Sequence, residues 1–155
     1  MGRLAAAALA ADFADLDEII EREQGVSVSE IFARHGEVEF RMLEREVAKR
    51  AIEGKAVVLA PGGGWAAQPG NLEIARGRCC LVYLRTSPEE AARRVASSGS
   101  RPLLGGGDAV QPMRRLLAER EGFYRRADAT VSTDGQRPEV VAEQVVALAR
   151  SRAGW

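Results

Sequence analysis

The sequence predicts an α/β fold with a parallel sheet, because short apolar runs alternate with longer segments of helical periodicity along the chain. The central run, Val57–Ala60, leads through Pro61 into three consecutive glycines. A short apolar run that ends in glycines is typical of a buried parallel strand opening into a tight loop. A second apolar run, Cys79–Arg85, precedes Ser87-Pro88-Glu89-Glu90, which has the capping serine, proline and acids of a helix start.

The N-terminal part is predicted to hold one strand among several helices. Ser27 and Glu30 have the spacing of a capping box, which marks a helix start. Gly25 and Gly36 are expected to interrupt the helical periodicity on either side. The expected elements are a helix over Gly2–Ala11, a strand over Asp12–Asp17, and helices over Asp17–Glu23, from Ser27, and over Glu37–Ile52.

The C-terminal part continues the alternation of strands and helices. Apolar residues recur at helical spacing in its longer segments, and β-favouring runs separate them. The expected elements are a short helix over Asn71–Ala75, a fully buried strand over Cys79–Arg85, a helix from Ser87 to about Ser97, a helix over Met113–Arg126, a strand over Ala129–Asp134 and a helix over Pro138–Arg152.

Composition limits the kinds of partner. The 155 residues are expected to form a single domain over positions 1–155, with a core large enough to fold alone. Lys plus Arg and Asp plus Glu each number 22, so the net charge is zero and favours neither nucleic acid nor membrane as a partner. No apolar run has the length needed to span a bilayer. Local arginines must therefore form any site for an anionic small molecule.

The cysteines and the histidine give little sign of metal or disulfide chemistry. Cys79 and Cys80 are adjacent within an apolar run, so they are expected to be buried free thiols of a cytoplasmic protein. With one histidine and no second cysteine pair, a zinc site is not expected.

The glycine cluster is the first candidate for a binding site. Ligands of open α/β sheets bind at the C-terminal ends of the strands. Glycines there let backbone N–H groups approach an anion with no Cβ in the way. Gly62, Gly63 and Gly64 therefore predict an anion-binding loop, with a plain turn as the alternative.

Four charged residues are further candidates. Asp15 and Asp17 lie near one strand end, where two carboxylates serve a hydrated Mg²⁺ and a substrate hydroxyl, or cap the next helix. Arg41 is either an ion-pair partner of helical acids on the Glu37 or Glu44 side, or a clamp for a substrate carboxylate. Arg101 is the one cation of a glycine-bounded segment that reads as a phosphate-covering lid or as a surface loop.

Taken in order, the residues resemble the shikimate kinase family over essentially the whole chain. Each match is weak alone, whereas the ordered set with these spacings is specific. The matching stretches are Gly2-Arg3-Leu4, Phe13-Ala14-Asp15-Leu16-Asp17, Ile20-Glu21, Ser29-Glu30-Ile31-Phe32, Gly36-Glu37, Phe40-Arg41, Glu44, Gly62-Gly63-Gly64, Arg101-Pro102-Leu103-Leu104 and Arg120 through Tyr124.

The resemblance implies a fold and an activity. The fold is a three-layer sandwich with a parallel sheet of P-loop kinase type. The activity is transfer of the γ-phosphoryl group of ATP to the 3-hydroxyl of shikimate, in the chorismate pathway of aromatic amino acids. Such an enzyme is expected to be cytoplasmic and monomeric, with ATP and Mg²⁺ as cofactors.

The resemblance also implies residue roles. Asp17 holds the substrate hydroxyls and is catalytic, while Arg41 and Arg120 clamp the shikimate carboxylate in a substrate-binding region of about residues 15–45. The triple glycine borders the same pocket. Asp15 lies on the Mg²⁺ side, and Arg101 contacts ATP phosphate from a lid over about residues 98–110.

One departure from the family concerns the phosphate-binding loop. The family carries G-x-x-x-x-G-K-[ST] between the first strand and first helix, and these 155 residues contain no such motif. The strand before that loop lies, in the family, between those that start near Val57 and Cys80. Its absence is expected to leave a gap of about one strand spacing, roughly 4.8 Å, lined by unpaired backbone groups. This chain alone is therefore predicted to be unstable, rearranged or inactive as a kinase.

Three interpretations remain open from the sequence. The true start lies upstream, with Met1 at a position where the family often has valine, and the complete protein is an ordinary kinase. Alternatively, the chain is a shortened, non-catalytic relative that binds shikimate-like acids. A gluconate-type kinase is the third option, although two arginines, Arg41 and Arg120, favour a carboxylated substrate.

Overall fold

Two parallel strand pairs, each connected by helices, form the fold. The computed structural model describes residues 1–98 and 110–155. The elements of this part follow in the order α1 Gly2–Ala8, β1 Asp12–Asp15, α2 Leu16–Gln24, α3 Val28–Glu53, β2 Val57–Ala60, α4 Gly62–Trp65, α5 Asn71–Ala75, β3 Val82–Arg85, α6 Pro88–Ser98, α7 Val110–Tyr124, β4 Ala129–Ser132 and α8 Pro138–Arg152.

The strands pair two by two. The ladder of β1 and β2 runs from the Asp12/Val57 pair to the Asp15/Ala60 pair, and that of β3 and β4 from Val82/Ala129 to Arg85/Ser132. Both pairs are parallel, which confirms the predicted α/β class. Among the described residues no ladder joins β2 to β3. The break falls where the resemblance places the absent strand.

Local signals in the sequence explain the helices before β2. Ser27 and Glu30 form the predicted capping box at the start of α3. Gly25 adopts a left-handed conformation with φ of 70° and ends α2. Gly36 has φ of 79° and ψ of 178°, so it kinks α3 where an interruption was predicted.

The main core lies between α2, α3 and the segment that follows β2. Its largest buried members include Leu16 and Ile20 of α2, Phe40 of α3 and Trp65 of α4. Phe123 of α7 packs against this cluster, so the second strand pair and its helices are anchored to the first.

A smaller cluster joins the two ends of the described chain. Ala5 of α1 packs with Ala142 and Val146 of α8, and all three are buried. The short alanine side chain lets the two helices approach closely.

Several element boundaries differ from prediction, and both local and tertiary hydrogen bonds contribute to the differences. α1 ends at Ala8, and Ala10 then has a positive φ of 52°. β1 ends at Asp15, so Asp17 lies in the first turn of α2 and not on the strand. β3 begins at Val82 because the Leu81 N–H donates to the Asp128 carboxylate, at 2.7 Å, before the ladder starts.

The expectation of fully buried thiols and a fully buried second strand is wrong. Cys79 and Cys80 are free but half-buried, and they precede β3. Their thiol pKa values are raised by burial. The side chains of β3 are half-buried or exposed. A two-stranded ladder covers only one edge of each strand, which explains this partial exposure.

None of the helices in residues 1–98 and 110–155 has the length and apolar content required to cross a membrane.

The capping box at the start of α3 yields the first prediction. The Glu30 N–H donates to Ser27 Oγ at 3.2 Å, and the Ser27 N–H donates to Glu30 Oε2 at 3.0 Å. Ser27→Ala removes the first bond, so we expect a loss of about 1 kcal/mol in the free energy of unfolding, measured by urea denaturation. Ser29→Ala, at an exposed position of the same helix turn, is the control. Equal losses in the two variants would contradict a capping role for Ser27.

Candidate active site

A buried carboxylate on α3 forms the centre of the candidate site. Glu44 is 2% exposed, because it lies on the same helical face as the core residues Phe40 and Ala48, one turn before and after it. A charge in such a position needs a partner.

Arg41 is that partner. Its Nη1 donates to Glu44 Oε2 at 2.8 Å, and its Nε and Nη2 donate to Glu37 Oε1 at 3.1 and 3.0 Å. The Arg41 side chain is 17% exposed. Both ion pairs considered in the sequence analysis are therefore present. These hydrogen bonds hold the guanidinium in one orientation. Since they use three of its five N–H groups, they are compatible with a role in binding a substrate carboxylate.

The two members of this pair respond differently to burial. Burial raises the pKa of the Glu44 carboxyl, and the hydrogen bond from Arg41 opposes that rise. Burial acts to lower the pKa of Arg41, but its hydrogen bonds with Glu44 and Glu37 outweigh this, and the pKa of Arg41 is raised. Arg41 is thus cationic at every physiological pH.

The glycine segment, Gly62–Gly64, lies directly against this ion pair. A Cβ placed on Gly64 would be 2.7 Å from Arg41 Cζ, a separation that real side chains do not reach. A Cβ on Gly62 would be 3.8 Å from Glu44 Oε1, and Gly62 also has a positive φ of 70°. The predicted tight loop is wrong in detail, because these glycines form the first turn of α4. A side chain at Gly64 would require the Arg41 guanidinium to shift, because that group packs against the backbone there.

Asp17 and Arg120 reach the same place from two other helices. The Asp17 charge acts to raise the pKa of Glu44, and the Arg120 charge acts to lower it. Asp17 is exposed at the start of α2, and Arg120 is half-buried on α7. The structure therefore places Asp17 and Arg120 near enough to Glu44 for their charges to act on it, while Arg41 contacts both Glu44 and the glycine segment.

Asp15 caps a helix. Its Oδ1 accepts a hydrogen bond from the Asp17 N–H at 3.0 Å, which makes it the N-cap of α2. The capping role predicted as one alternative for Asp17 belongs to Asp15. Within residues 1–98 and 110–155, no group of three or more His, Cys, Asp or Glu side chains is arranged to hold a metal ion.

The predicted lid over residues 98–110 lies almost wholly outside the described residues, and so does Arg101.

Sequence reasoning did not assign two contacts of the site. Glu44 is one of several acids near Arg41 in the sequence, and its spacing from Phe40 and Ala48 is the signal that indicates the buried helix face. The Tyr124 hydroxyl donates to the Gly63 carbonyl at 2.8 Å. The contact joins residues 61 positions apart, so no local sequence pattern predicts it.

A hydrogen-bond network between α3 and the residues that follow the glycine segment supports that segment. Arg45 Nη1 donates to the Pro69 carbonyl at 2.9 Å and to Asn71 Oδ1 at 3.1 Å. Asn71 Nδ2 in turn donates to the Trp65 carbonyl at 2.9 Å, directly after the glycines. Asn71 and Trp65 are both buried, so these bonds fix α4 against α3.

Comparison with known proteins identifies what this arrangement resembles. The family profile described as shikimate kinase matches residues 1–150. A shikimate kinase of Mycobacterium avium is 43% identical over 148 residues, which cover 94% of this chain and 83% of the relative. One from Caldanaerobacter subterraneus is 38% identical over 146 residues, which cover 94% of this chain and 85% of the relative.

Solved structures give the same result. A shikimate kinase from Acinetobacter baumannii, in complex with shikimate, has a TM-score of 0.87 and 36% identity, and the match covers 97% of this chain and 84% of that one. The shikimate kinase of Aquifex aeolicus has a TM-score of 0.83 and 32% identity, with 98% and 89% covered.

The contact between Gly64 and Arg41 yields a second prediction. Gly64→Ala would push a methyl group into the guanidinium, so we expect the free energy of unfolding to fall by about 1–3 kcal/mol in urea denaturation. Gly122→Ala is the matched control, because a Cβ there meets no atom within 4 Å. Gly122 lies inside α7, where alanine is the better helix former. Equal behaviour of the two variants would show that Arg41 moves aside freely.

The burial of Glu44 yields a third prediction, on pH. Because its folded pKa is raised, the folded state keeps a proton that the unfolded state releases above the ordinary value of about 4.3. The wild-type free energy of unfolding should therefore fall relative to that of Glu44→Gln as the pH rises from about 4.3 through the folded pKa. Urea denaturation across this range measures the difference, and Glu37→Gln controls for removal of a partner of Arg41. A wild-type free energy of unfolding that rises relative to that of Glu44→Gln over this pH range would contradict the prediction.

Proposed function

Because this chain belongs to the shikimate kinase family, whose members are phosphotransferases, we propose that Asp17, Arg41, Arg120 and the glycine segment form its shikimate-binding site. The observation that carries the proposal is the convergence of these groups, from four different helices, around the buried Glu44. The pathway served is aromatic amino-acid biosynthesis.

Two arginines bind the carboxylate of the substrate in this proposal. Arg41 has five N–H groups, and its three hydrogen bonds to Glu37 and Glu44 use one on each nitrogen. Within the described residues, one N–H of Nη1 and one of Nη2 remain for a ligand. Two such donors match the two oxygens of a carboxylate, and Arg120 adds a second positive charge.

Asp17 acts on the hydroxyl groups of the substrate. A carboxylate accepts hydrogen bonds from ring hydroxyls and orients them. It also takes the proton of the hydroxyl that attacks the phosphoryl group, which is the role of a general base. Its exposed position at the start of α2 leaves it accessible to a ligand.

The nucleotide side of the reaction is proposed with fewer residues. The family uses ATP, and Mg²⁺ commonly accompanies it with one or two carboxylates, phosphate oxygens and water as ligands. Asp15 fits that pattern as a single carboxylate, since its Oδ1 accepts the Asp17 N–H and, within residues 1–98 and 110–155, its Oδ2 has no hydrogen-bond partner. When bound, Mg²⁺ would neutralise phosphate charge. Arg101 is proposed to contact phosphate during transfer.

The proposal also covers the oligomeric state, the location and the alternative substrate of the protein. The chain is proposed to act as a monomer in the cytoplasm on a small-molecule substrate. A gluconate-type kinase is the alternative, and competition between the two acids separates them. Tight binding of gluconate without binding of shikimate would reject the proposal.

A matched pair of arginine variants, one on α7 and one directly after it, tests the carboxylate site. Arg120→Ala removes a charge-assisted contact, so we expect the dissociation constant for shikimate to rise about tenfold or more in calorimetric titration. Arg125→Ala is the control. Arg125 lies on the adjoining turn and pairs with Glu121, and its side chain is 71% exposed.

Two outcomes would contradict this prediction. One is an equal loss of affinity in both variants, which would indicate a general charge effect. The other is unchanged affinity in Arg120→Ala. Because the 155 residues contain no G-x-x-x-x-G-K-[ST] motif, binding is measured directly, and transfer from ATP is assayed alongside it.

A further inference from the structure

A tertiary hydrogen bond connects α7 to the glycine segment. The Tyr124 hydroxyl donates to the Gly63 carbonyl at 2.8 Å. A Cβ on Gly63 would lie 3.1 Å from the same hydroxyl oxygen, so the close approach also depends on glycine at that position. The bond links two elements that belong to different strand pairs.

Tyr124 and Arg120 share one face of α7. They are four positions apart, so their side chains leave the helix from the same side, one turn apart. Arg120 interacts with Glu44, while Tyr124 bonds to the backbone that packs over the Arg41–Glu44 pair. A shift of α7 relative to the glycine segment would therefore break the Tyr124 bond and move Arg120 together.

Neighbouring contacts hold the Tyr124 ring in place. The ring centroid of Tyr83, on β3, lies 5.1 Å from that of Tyr124 with a tilt of 33°. The adjacent Phe123 packs against the main core. The Tyr124 hydroxyl is thus carried by a ring that is held in place, so its hydrogen bond can fix the distance between α7 and the glycine segment.

We propose that Tyr124 is a positioning residue for shikimate binding, whose hydroxyl fixes the separation between Arg120 on α7 and the glycine segment over Arg41. The inference rests on the proposed function of Arg120 as a carboxylate-binding group. Tyr124 itself acts through Arg120 and the Gly63 backbone. An arginine that binds a carboxylate through its planar fork needs accurate placement, so a small shift of α7 weakens the contact.

The test compares Tyr124→Phe with wild type by calorimetric titration of shikimate. Loss of one hydrogen bond at this position should raise the dissociation constant about three- to tenfold. Tyr83→Phe, which removes the hydroxyl of the stacked ring, is the matched control and should leave the constant unchanged. Unchanged affinity in Tyr124→Phe, with wild type binding shikimate, would overturn the inference.

A second measurement separates positioning from general stability. In an Arg120→Lys background, the flexible ammonium no longer depends on accurate placement. Tyr124→Phe should then change the dissociation constant less than about twofold, a non-additive result. The same change as in the wild-type background would overturn the inference, because it would show an effect independent of Arg120.

Failure of the proposed function has a different signature. If wild type and Tyr83→Phe both fail to bind shikimate while remaining folded, the site assignment itself is wrong. If wild type binds and Tyr124→Phe binds equally well, only the positioning role is rejected.

Discussion

The arrangement of the site depends on one buried ion pair. Glu44 lies on the core face of α3, and its carboxylate is kept there by Arg41 from the preceding turn. The guanidinium in turn packs against the backbone of Gly64, so a side chain at that position would collide with it. The exposed carboxylate of Asp17 lies near enough for its charge to act on Glu44. The burial of Glu44 on an apolar helix face thus fixes the orientation of the Arg41 guanidinium.

Residues from both strand pairs meet at that ion pair. Asp17, Arg41 and the glycine segment belong to the elements around β1 and β2, whereas Arg120 comes from the helix between β3 and β4. Since no ladder among the described residues joins β2 to β3, side chains provide the connection. Phe123 packs into the main core, Tyr124 bonds to Gly63, and Arg126 pairs with Glu73 of α5. The position of Arg120 relative to Asp17 and Arg41 therefore depends on these side-chain contacts.

The sequence was most informative where the cause of a structure is local. The Ser27 capping box, the glycine that ends α2 and the kink at Gly36 all arise from neighbouring residues, and their positions agree with prediction. Strand limits were less accurate, because the Leu81 N–H ahead of β3 donates to the carboxylate of Asp128, which is distant in sequence. The convergence of Asp17, Arg41 and Arg120 followed only from family resemblance, since no local rule brings three helices to one point. The roles of individual residues in binding and catalysis remain predictions.

The contact between α1 and α8 has a consequence for how the protein is made. Ala5 and Ala6 are buried, and Ala5 packs with Ala142 and Val146 of the last helix. During synthesis α8 is produced after every other described element, so the side of α1 that packs against α8 stays uncovered while about 130 residues follow it from the ribosome. At about 5–20 residues per second, that interval lasts on the order of ten seconds. The contact between α1 and α8 therefore forms only after the last described helix has been made.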